Sequence, residues 1–214
     1  MATSKAKEVV FLAPMKTKEV TVRIESMDDS SLVVHQFGDK ERRKMAEKQA
    51  KTANKGRGRE ARDPEAEYEA AFHRLSDGSY GFPAHGIKAS IANAAHRDLG
   101  FPRTAVYKAV FVHPDDPVTN CVRIEHSAAP KMRTDVVRLE SGVADLRYRP
   151  EFQDWAMNLR ITIDEDWINV DTLVALIQRA GFGVGIGEWR PQKGVGNFGR
   201  YKVAVVEEDD GSQV

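Results

Sequence analysis

The chain has 214 residues, and its 32 Lys and Arg residues balance its 32 Asp and Glu residues, so its formal net charge is zero. This length fits one domain with an insertion, here residues 1–214, and a core that needs neither disulfides nor metals. The zero charge does not indicate a uniformly basic nucleic-acid-binding protein, and no apolar run is long enough for a transmembrane helix. The lone Cys121 excludes an intramolecular disulfide. We expect a cytoplasmic protein that does not contact membranes, with Cys121 in a structural role.

Hydropathy periods and turn residues predict more strands than helices. The predicted elements, in chain order, are strands over 19–25 and 31–37, a helix over 63–75, an extended piece at 80–83, an Ala-rich helix over 84–97, strands over 106–112 and 118–125, one or two strands over 136–149, a strand over 155–163 containing Trp155, a helix from Asn169 or Asp171 to Gly181, and a last strand over 198–206. This order is typical of an α+β fold with a largely antiparallel sheet.

Charge is unevenly distributed along this neutral chain. A basic insertion, residues 39–63, has ten Lys and Arg residues against three Glu residues over 40–62 and almost no large apolar residue. It is either a solvated charged loop or an arm that neutralises phosphates. On the second interpretation its binding residues include Arg42, Arg43, Lys44, Arg57 and Arg59. At the other end, we predict that residues 207–214 form a disordered acidic tail.

The glycine-rich stretch over 181–200 contains seven of the 16 glycines. A helix precedes it and a strand follows, which is the reverse of a dinucleotide-binding fingerprint, and it lacks the Gly-Lys-Ser/Thr of a phosphate-binding P-loop. Two interpretations stay open. The glycines either serve tight packing in a turn, or let the backbone approach a phosphate chain beside Arg190, Lys193 and Arg200.

Two short motifs in this order resemble the RAMP superfamily, the RRM-like proteins that form the backbone of CRISPR effector complexes. Phe82-Pro83 and Ile87-Lys88 match its proline motif, and Gly196-Asn197-Phe198-Gly199-Arg200 matches its glycine-loop motif. Ala84, His85 and Ala89 depart from the small hydroxyl and glycine residues that are usual there. The resemblance spans roughly residues 19–206, but only these two motifs carry it.

The resemblance implies a ferredoxin-like, RRM-like antiparallel sheet with long insertions. It also implies subunits that polymerise along single-stranded RNA and contact other effector-complex subunits. The family's phosphate-contacting residues correspond here to Lys88 and Arg97, beside Arg190, Lys193 and Arg200. We expect His85 and Arg133 to contact the nucleic acid as well. The thumb-like insertion of the family corresponds either to the basic insertion or to the arginine-rich segment 126–150. Trp189 either stacks on a base or packs onto a neighbouring subunit.

Catalytic and metal-binding patterns are weak. No histidine pair has metal-ligand spacing, and no hydrolase or kinase motif occurs, so we predict no catalytic residue, no metal and no cofactor. Asp28 and Asp29 form either a structural turn or a divalent-metal site.

Three functional hypotheses follow. The first is a non-enzymatic protein that oligomerises along single-stranded RNA or, less readily, DNA. The second is a phage-type assembly protein that forms head-to-tail oligomers of itself without nucleic acid. The third, a minor alternative, is a metal-dependent ribonuclease. Whether the chain serves host defence, a mobile element or a phage stays open.

Overall fold

The computed structural model describes residues 14–27, 30–36, 62–138 and 142–208. Most of the predicted basic insertion, including Arg42, Arg43, Lys44, Arg57 and Arg59, therefore lies outside the described residues. The turn residues Asp28 and Asp29 and the acidic tail beyond residue 208 lie outside them as well.

The central sheet has ferredoxin-like topology. Its strands are β1 (Thr17–Ser26), β4 (Val110–His113), β9 (Trp155–Asp164) and β10 (Tyr201–Glu208), and its crossover helices are α2 (Ala84–Leu99) and α4 (Val170–Gly183). The chain runs β1, α2, β4, β9, α4, β10, and the order across the sheet is β10-β1-β9-β4 with every pair antiparallel. This is the βαββαβ pattern, so the predicted α+β, ferredoxin-like fold is confirmed.

The two central strands of this sheet, β1 and β9, alternate between buried and exposed residues with a period of two. Val20, Val22 and Ile24 in β1 are completely buried, whereas the residues between them are partly exposed. On β9, Trp155, Met157, Leu159, Ile161 and Ile163 are likewise buried, as the sequence predicts. One face of each strand therefore packs against the helices, and the other face is polar.

The two crossover helices begin and end where their sequences direct. The Asn169 side chain accepts from the Thr172 amide and caps α4, and the left-handed Gly100 ends α2. Gly181, predicted as the end of α4, lies two residues before its end. A side chain there would collide with the Tyr201 carbonyl of β10, so this glycine allows α4 to approach the sheet closely.

Two insertions interrupt the ferredoxin-like pattern. The first contains β2 (Leu32–Val33), α1 (Pro64–Ala70) and β3 (Gly81–Pro83). The second contains β5 (Cys121–Arg123), β6 (Glu125–His126), β7 (Lys131–Arg138) and β8 (Ala144–Phe152). Strands β2, β8 and β7 form a separate three-stranded sheet, β3 pairs with β5, and β6 extends the edge of β9. The predicted strands over 136–149 thus belong to the longer β7–β8 hairpin.

The strand predicted over 106–112 is wrong in its first half. The helix α3 (Arg103–Ala109) precedes a short β4, and its buried residues Val106 and Ala109 are spaced three apart. The packing of α3 against α2 decides this local structure over the β-propensity of the valines.

Other element boundaries also differ from prediction. Within the described residues 31–36, only Leu32 and Val33 form a strand, and α1 ends at Ala70 rather than at Leu75. The single strand predicted over 118–125 is instead the two short strands β5 and β6. Glu207 and Glu208 continue β10, pairing with Thr21 and Val20, so the strand enters the segment predicted as a tail.

The buried Cys121 has its pKa raised by burial, which suits a structural thiol rather than a nucleophile. In the described part of the chain, no helix is long and apolar enough to cross a membrane.

Candidate nucleic-acid interface

The face of the sheet opposite the helices is the surface on which RRM-like proteins stack bases on aromatic side chains. Here the central strands present polar residues on that face. Arg23 donates to Glu125 at 2.8 Å and to Asn158 at 3.2 Å, and Arg160 lies 3.5 Å from Glu19. These charges are already paired within the chain. The central strands therefore offer no stacking platform.

The glycine loop, which we define as residues 184–200, connects α4 to β10 and contains a 3₁₀ turn at Pro191–Lys193. Two of its glycines pack against the loop itself. A side chain at Gly196 would overlap the Trp189 carbonyl oxygen, and one at Gly199 would overlap the Ile186 carbonyl oxygen. The tight-packing interpretation of the glycines is thus borne out at these positions, and the loop forms a closed, ordered structure.

Ser30 ties the glycine loop to the chain that follows β1. Its buried hydroxyl donates to the Asn197 carbonyl at 2.7 Å and accepts from the Arg200 amide at 2.8 Å. The Ser30 carbonyl in turn accepts from the Trp155 indole at 3.1 Å. One residue therefore joins the loop to the strand β9 at the centre of the sheet.

A buried carboxylate on the β7–β8 hairpin organises the other half of the candidate interface. Asp135 accepts from the Arg133 Nε at 2.7 Å and from the Trp189 Nε1 at 3.3 Å. It also lies 3.5 Å from the Arg149 Nη1. Arg133 and Arg149 stand directly opposite each other across the hairpin, so Asp135 provides the negative charge between two like charges. It also holds the hairpin against the glycine loop.

A pocket of about 230 Å³ opens between the hairpin and the glycine loop. Its lining residues are Val137, Arg149, Glu188, Trp189, Arg190, Lys193, Val195 and Gly196. We call it the arginine pocket. Arg149 is only 7% exposed, and its Nε has no hydrogen-bond partner among the described residues. An unpaired buried donor costs about 1–3 kcal/mol, and such groups usually have a partner. The Nε atom itself has almost no accessible surface, so it is not a contact point for a ligand in the pocket.

The other two cations of the arginine pocket are held by the glycine loop. Arg190 donates from Nη1 to the Gly187 carbonyl at 2.8 Å, and burial lowers its pKa. Lys193 lies 3.5 Å from Glu188, the one carboxylate among the lining residues. Lys193 is exposed, whereas Arg190 is desolvated, and a desolvated cation interacts more strongly with an anion than a solvated one does.

Cations also lie over aromatic rings beside the pocket and at the far end of the loop. The Arg133 guanidinium is 4.5 Å from the Phe198 ring centroid, and that of Arg200 is 5.0 Å from the Phe182 ring centroid. Phe182 is 64% exposed. The chain thus brings the predicted residues Arg133, Trp189, Arg190 and Lys193 together, with Arg200 at the other end of the same loop.

Lys88 lies on a different side of the molecule. Its Nζ is 4.2 Å from the Phe111 ring centroid and 5.9 Å from that of Tyr107, and burial lowers its pKa. Both rings are partly exposed. Ser90, two residues further along α2, instead faces the glycine loop, where it donates to the Gly185 carbonyl. Residues two apart point to nearly opposite sides of a helix, so Lys88 does not join the arginine pocket.

His85 and Arg97 have separate positions on α2. His85 is exposed in the first turn, and it shares a helix face with the exposed His96 eleven residues later. Arg97 makes a two-pronged contact with Asp98, at 2.5 and 2.8 Å, which raises the pKa of Arg97. Gly183 leaves the space that the Arg97 guanidinium occupies, so this arginine packs at the α2–α4 contact.

Sequence reasoning missed the importance of Arg149 and Asp135. Both lie within the arginine-rich segment 126–150, from which the sequence singled out Arg133. Strand alternation is a signal that was available, since it places Asp145, Arg147, Arg149 and Glu151 on one face of β8. Within the described residues no group of three His, Cys, Asp or Glu side chains is arranged to hold a metal ion.

Comparison with known proteins found similarity at the level of structure. No family model matches the sequence, and no curated protein matches it significantly. A chain in a cryo-EM structure of the type III-B Cmr-beta complex bound to cognate target RNA has a TM-score of 0.46 and 10% identity, with 90% of this chain covered. Cmr6 from Pyrococcus furiosus has a TM-score of 0.45 and 11% identity, with 88% of this chain and 98% of Cmr6 covered.

These neighbours agree with the resemblance suspected from two sequence motifs. The chain spans 61% of the length of the Cmr-beta chain that it matches. At TM-scores below 0.5 these likenesses assign no activity or ligand to this chain, so its function is argued from its own residues.

Proposed function

We propose that this chain is a non-enzymatic protein that binds single-stranded nucleic acid with the arginine pocket and the glycine loop beside it. The observation that carries the proposal is the arginine pocket itself, which three cations, Arg149, Arg190 and Lys193, line against a single lining carboxylate, Glu188. Preorganised cations of this kind suit a phosphate oxyanion, because the guanidinium offers several donors in a fixed geometry.

Single-stranded rather than duplex nucleic acid suits the aromatic residues of this surface. Trp189 lines the pocket, Phe198 lies under Arg133, and Phe182 is largely exposed under Arg200. Bases stack on such rings only when they are unpaired, and the cations beside the rings contact the backbone. The preference for RNA over DNA, and other effector-complex subunits as partners, rest on the motif resemblance and belong to the proposal.

Lys88 with its two aromatic neighbours lies on α2 away from the arginine pocket, and His85 is exposed on the same helix. Lys88 and His85 are therefore proposed as a second contact along the strand. Oligomerisation of the chain along a longer strand is the last part of the proposal.

The direct test is a binding measurement with a charge-matched control. The Lys193→Ala/Arg200→Ala variant removes one lysine and one arginine from the glycine loop, and Lys16→Ala/Arg160→Ala removes the same charges from exposed positions away from it. We expect the first variant alone to weaken binding of a fluorescent single-stranded RNA and to flatten the dependence of affinity on salt. Equal affinities and equal salt slopes for the two variants would overturn the proposal. A DNA oligonucleotide of the same sequence tests the preference for RNA.

Purification of the full chain tests the rival functions. Co-purifying nucleic acid that sets the oligomer length, and whose removal by nuclease shortens the oligomers, supports the proposal. Nucleic-acid-free oligomers that persist in nuclease would support the head-to-tail assembly protein instead. Magnesium-dependent cleavage of bound RNA that is lost in an Asp28→Ala/Asp29→Ala variant would establish the ribonuclease.

A further inference from the structure

The central sheet has one long edge that pairs with no further strand among the described residues. At this edge, β10 is eight residues long and is bonded to β1 alone, whereas β4, at the opposite edge, is only four residues long. An edge strand presents a row of unpaired backbone N–H and C=O groups, so proteins usually keep edge strands short or cover them. An uncovered strand of this length therefore suits pairing with another chain.

The second half of β10 exposes apolar side chains on both faces of the sheet. Val205 is 47% exposed and lies opposite Arg23, on the polar face. Val206 is 37% exposed and lies opposite the completely buried Val22, on the face that packs against the helices. A neighbouring strand would cover both valines at once, because it extends both faces of the sheet.

A bulge in β10 brings its exposed lysine and one of its glutamates to the same face. The register between β10 and β1 shifts by one residue within the strand. Lys202 lies opposite Glu25, and Glu207 lies opposite Thr21, so both are on the polar face. Without the shift, residues five apart would point to opposite faces of the sheet. Both side chains are exposed.

This arrangement makes β10 complementary to a second copy of itself that runs antiparallel beside it. In one register the facing pairs are Lys202 with Glu207, Val203 with Val206, and Ala204 with Val205. In each pair the two side chains share a face, and each pair occurs twice, because a two-fold axis relates the copies. Opposite charges and β-branched residues directly across two strands stabilise the pairing.

We propose that β10 is a dimer interface, at which a second copy of this chain adds its own β10 to the central sheet. The two central sheets then form one continuous sheet, and the exposed valines are covered. A two-fold contact closes at two copies, so it differs from head-to-tail assembly and from oligomerisation along a strand of nucleic acid. The contact uses no residue of the arginine pocket, so this inference goes beyond the proposed function and does not rest on it.

Sedimentation velocity of the full chain, freed of nucleic acid by nuclease and high salt, tests the interface over a series of protein concentrations. We expect a reversible equilibrium between monomer and dimer, with no larger species. Glu207→Lys places like charges opposite each other at both ends of the contact, and Lys202→Glu does the same. Each variant should raise the dissociation constant of the dimer at least about tenfold, because like charges directly opposite destabilise a strand pair.

The decisive measurement mixes these two variants. In the mixed pair, opposite charges face each other again at both ends, so a heterodimer should form from two chains that do not dimerise alone. Lys108→Glu and Glu65→Lys change the same charges at exposed positions on α3 and α1, and these controls should dimerise like the unmodified chain.

Three results would overturn the interface. The first is an unmodified chain that stays monomeric at every concentration or grows into species larger than a dimer. The second is a dimer that is as stable in Glu207→Lys as in the controls. The third is a mixture of the two variants that stays monomeric although circular dichroism shows both to be folded. Binding of RNA by the same preparations tests the proposed function separately.

Discussion

At the scale of the residue, Asp135 holds the candidate interface together. It accepts from Arg133 and Trp189 and lies 3.5 Å from Arg149, so one buried carboxylate contacts both the hairpin and the glycine loop. Breaking a buried ion pair by removal of one partner leaves an uncompensated charge. The stability of the interface should therefore depend on this side chain more than on any exposed ion pair around it.

Replacement of Asp135 by Asn tests that dependence. We expect the free energy of unfolding to fall by about 1–3 kcal/mol, because the amide leaves the buried Arg149 without its charge partner and Arg133 with Glu151 alone. The exposed Asp154, replaced by Asn, is the matched control and should change stability by less than about 0.5 kcal/mol. Urea unfolding measures both variants. A similar small effect for the two variants would contradict the role assigned to Asp135.

Gly196 tests whether the glycine loop is a closed, packed structure. A methyl group there meets the Trp189 carbonyl, which belongs to the backbone and cannot rotate away. Gly196→Ala should cost about 1–3 kcal/mol in urea unfolding, as overpacked sites do. The neighbouring Val195 is 96% exposed, and Val195→Ala should leave stability unchanged. If Gly196→Ala were as stable as the unmodified chain, the loop would be open at this point.

At this scale, the sequence predicts the burial of a residue correctly where the pattern of its neighbouring residues determines it. Trp155 is a core residue, as the alternation of its strand predicts. Arg149 was not singled out, because a buried arginine depends on partners that are distant in sequence. Asp135 is 14 residues away across a hairpin, and Arg190 comes from the loop after α4.

At the scale of the element, the glycine loop is positioned through Ser30. Ser30→Ala removes a donor to the Asn197 carbonyl and an acceptor from the Arg200 amide, and it leaves both backbone groups unpaired. We expect a loss of about 1–3 kcal/mol by thermal or urea unfolding. Ser127→Ala removes only an exposed contact of 3.4 Å to Asp154, and it should have little effect. Equal effects would mean that Ser30 does not anchor the loop.

The turn between β4 and β5 has a pH-dependent contact. The Ser76 hydroxyl and amide donate to Asp116 at 2.6 Å each and lower the pKa of its carboxyl to about 2, from 3.8. Because the folded pKa is the lower one, this contact stabilises the fold above about pH 4, and the gain is lost as the pH falls towards 2. The stability difference between the unmodified chain and Asp116→Asn should therefore shrink below about pH 4. A difference that stayed constant down to about pH 2.5 would contradict this.

Element predictions differed in success for a physical reason. The long strands β1 and β9 have one face completely buried, so period-two alternation fixes them strongly. The segment 106–112 has valines that favour a strand, yet Val106 lies in α3, where helix packing decides its conformation. The order β10-β1-β9-β4 followed from the family resemblance and could not be derived from periodicity, which does not specify which strands pair.

At the scale of the whole molecule, a neutral chain combines separate charged regions. The open face of the sheet has paired charges, as in the contact of Arg23 with Glu125, whereas three cations and one carboxylate line the arginine pocket. Overall neutrality limits non-specific association, and a local cationic site can still bind an anion strongly. The zero net charge therefore excludes a uniformly basic surface and does not exclude a local one.

The most direct test of this account is to map where a bound strand lies. We would photo-crosslink a single-stranded RNA to the full chain and identify the modified peptides by mass spectrometry. The account predicts crosslinks in the last turn of α4, the glycine loop and the β7–β8 hairpin, with Phe182, Trp189 and Phe198 the expected positions because bases stack on aromatic rings. Crosslinks confined to β1 and β9 on the open face of the sheet would contradict it.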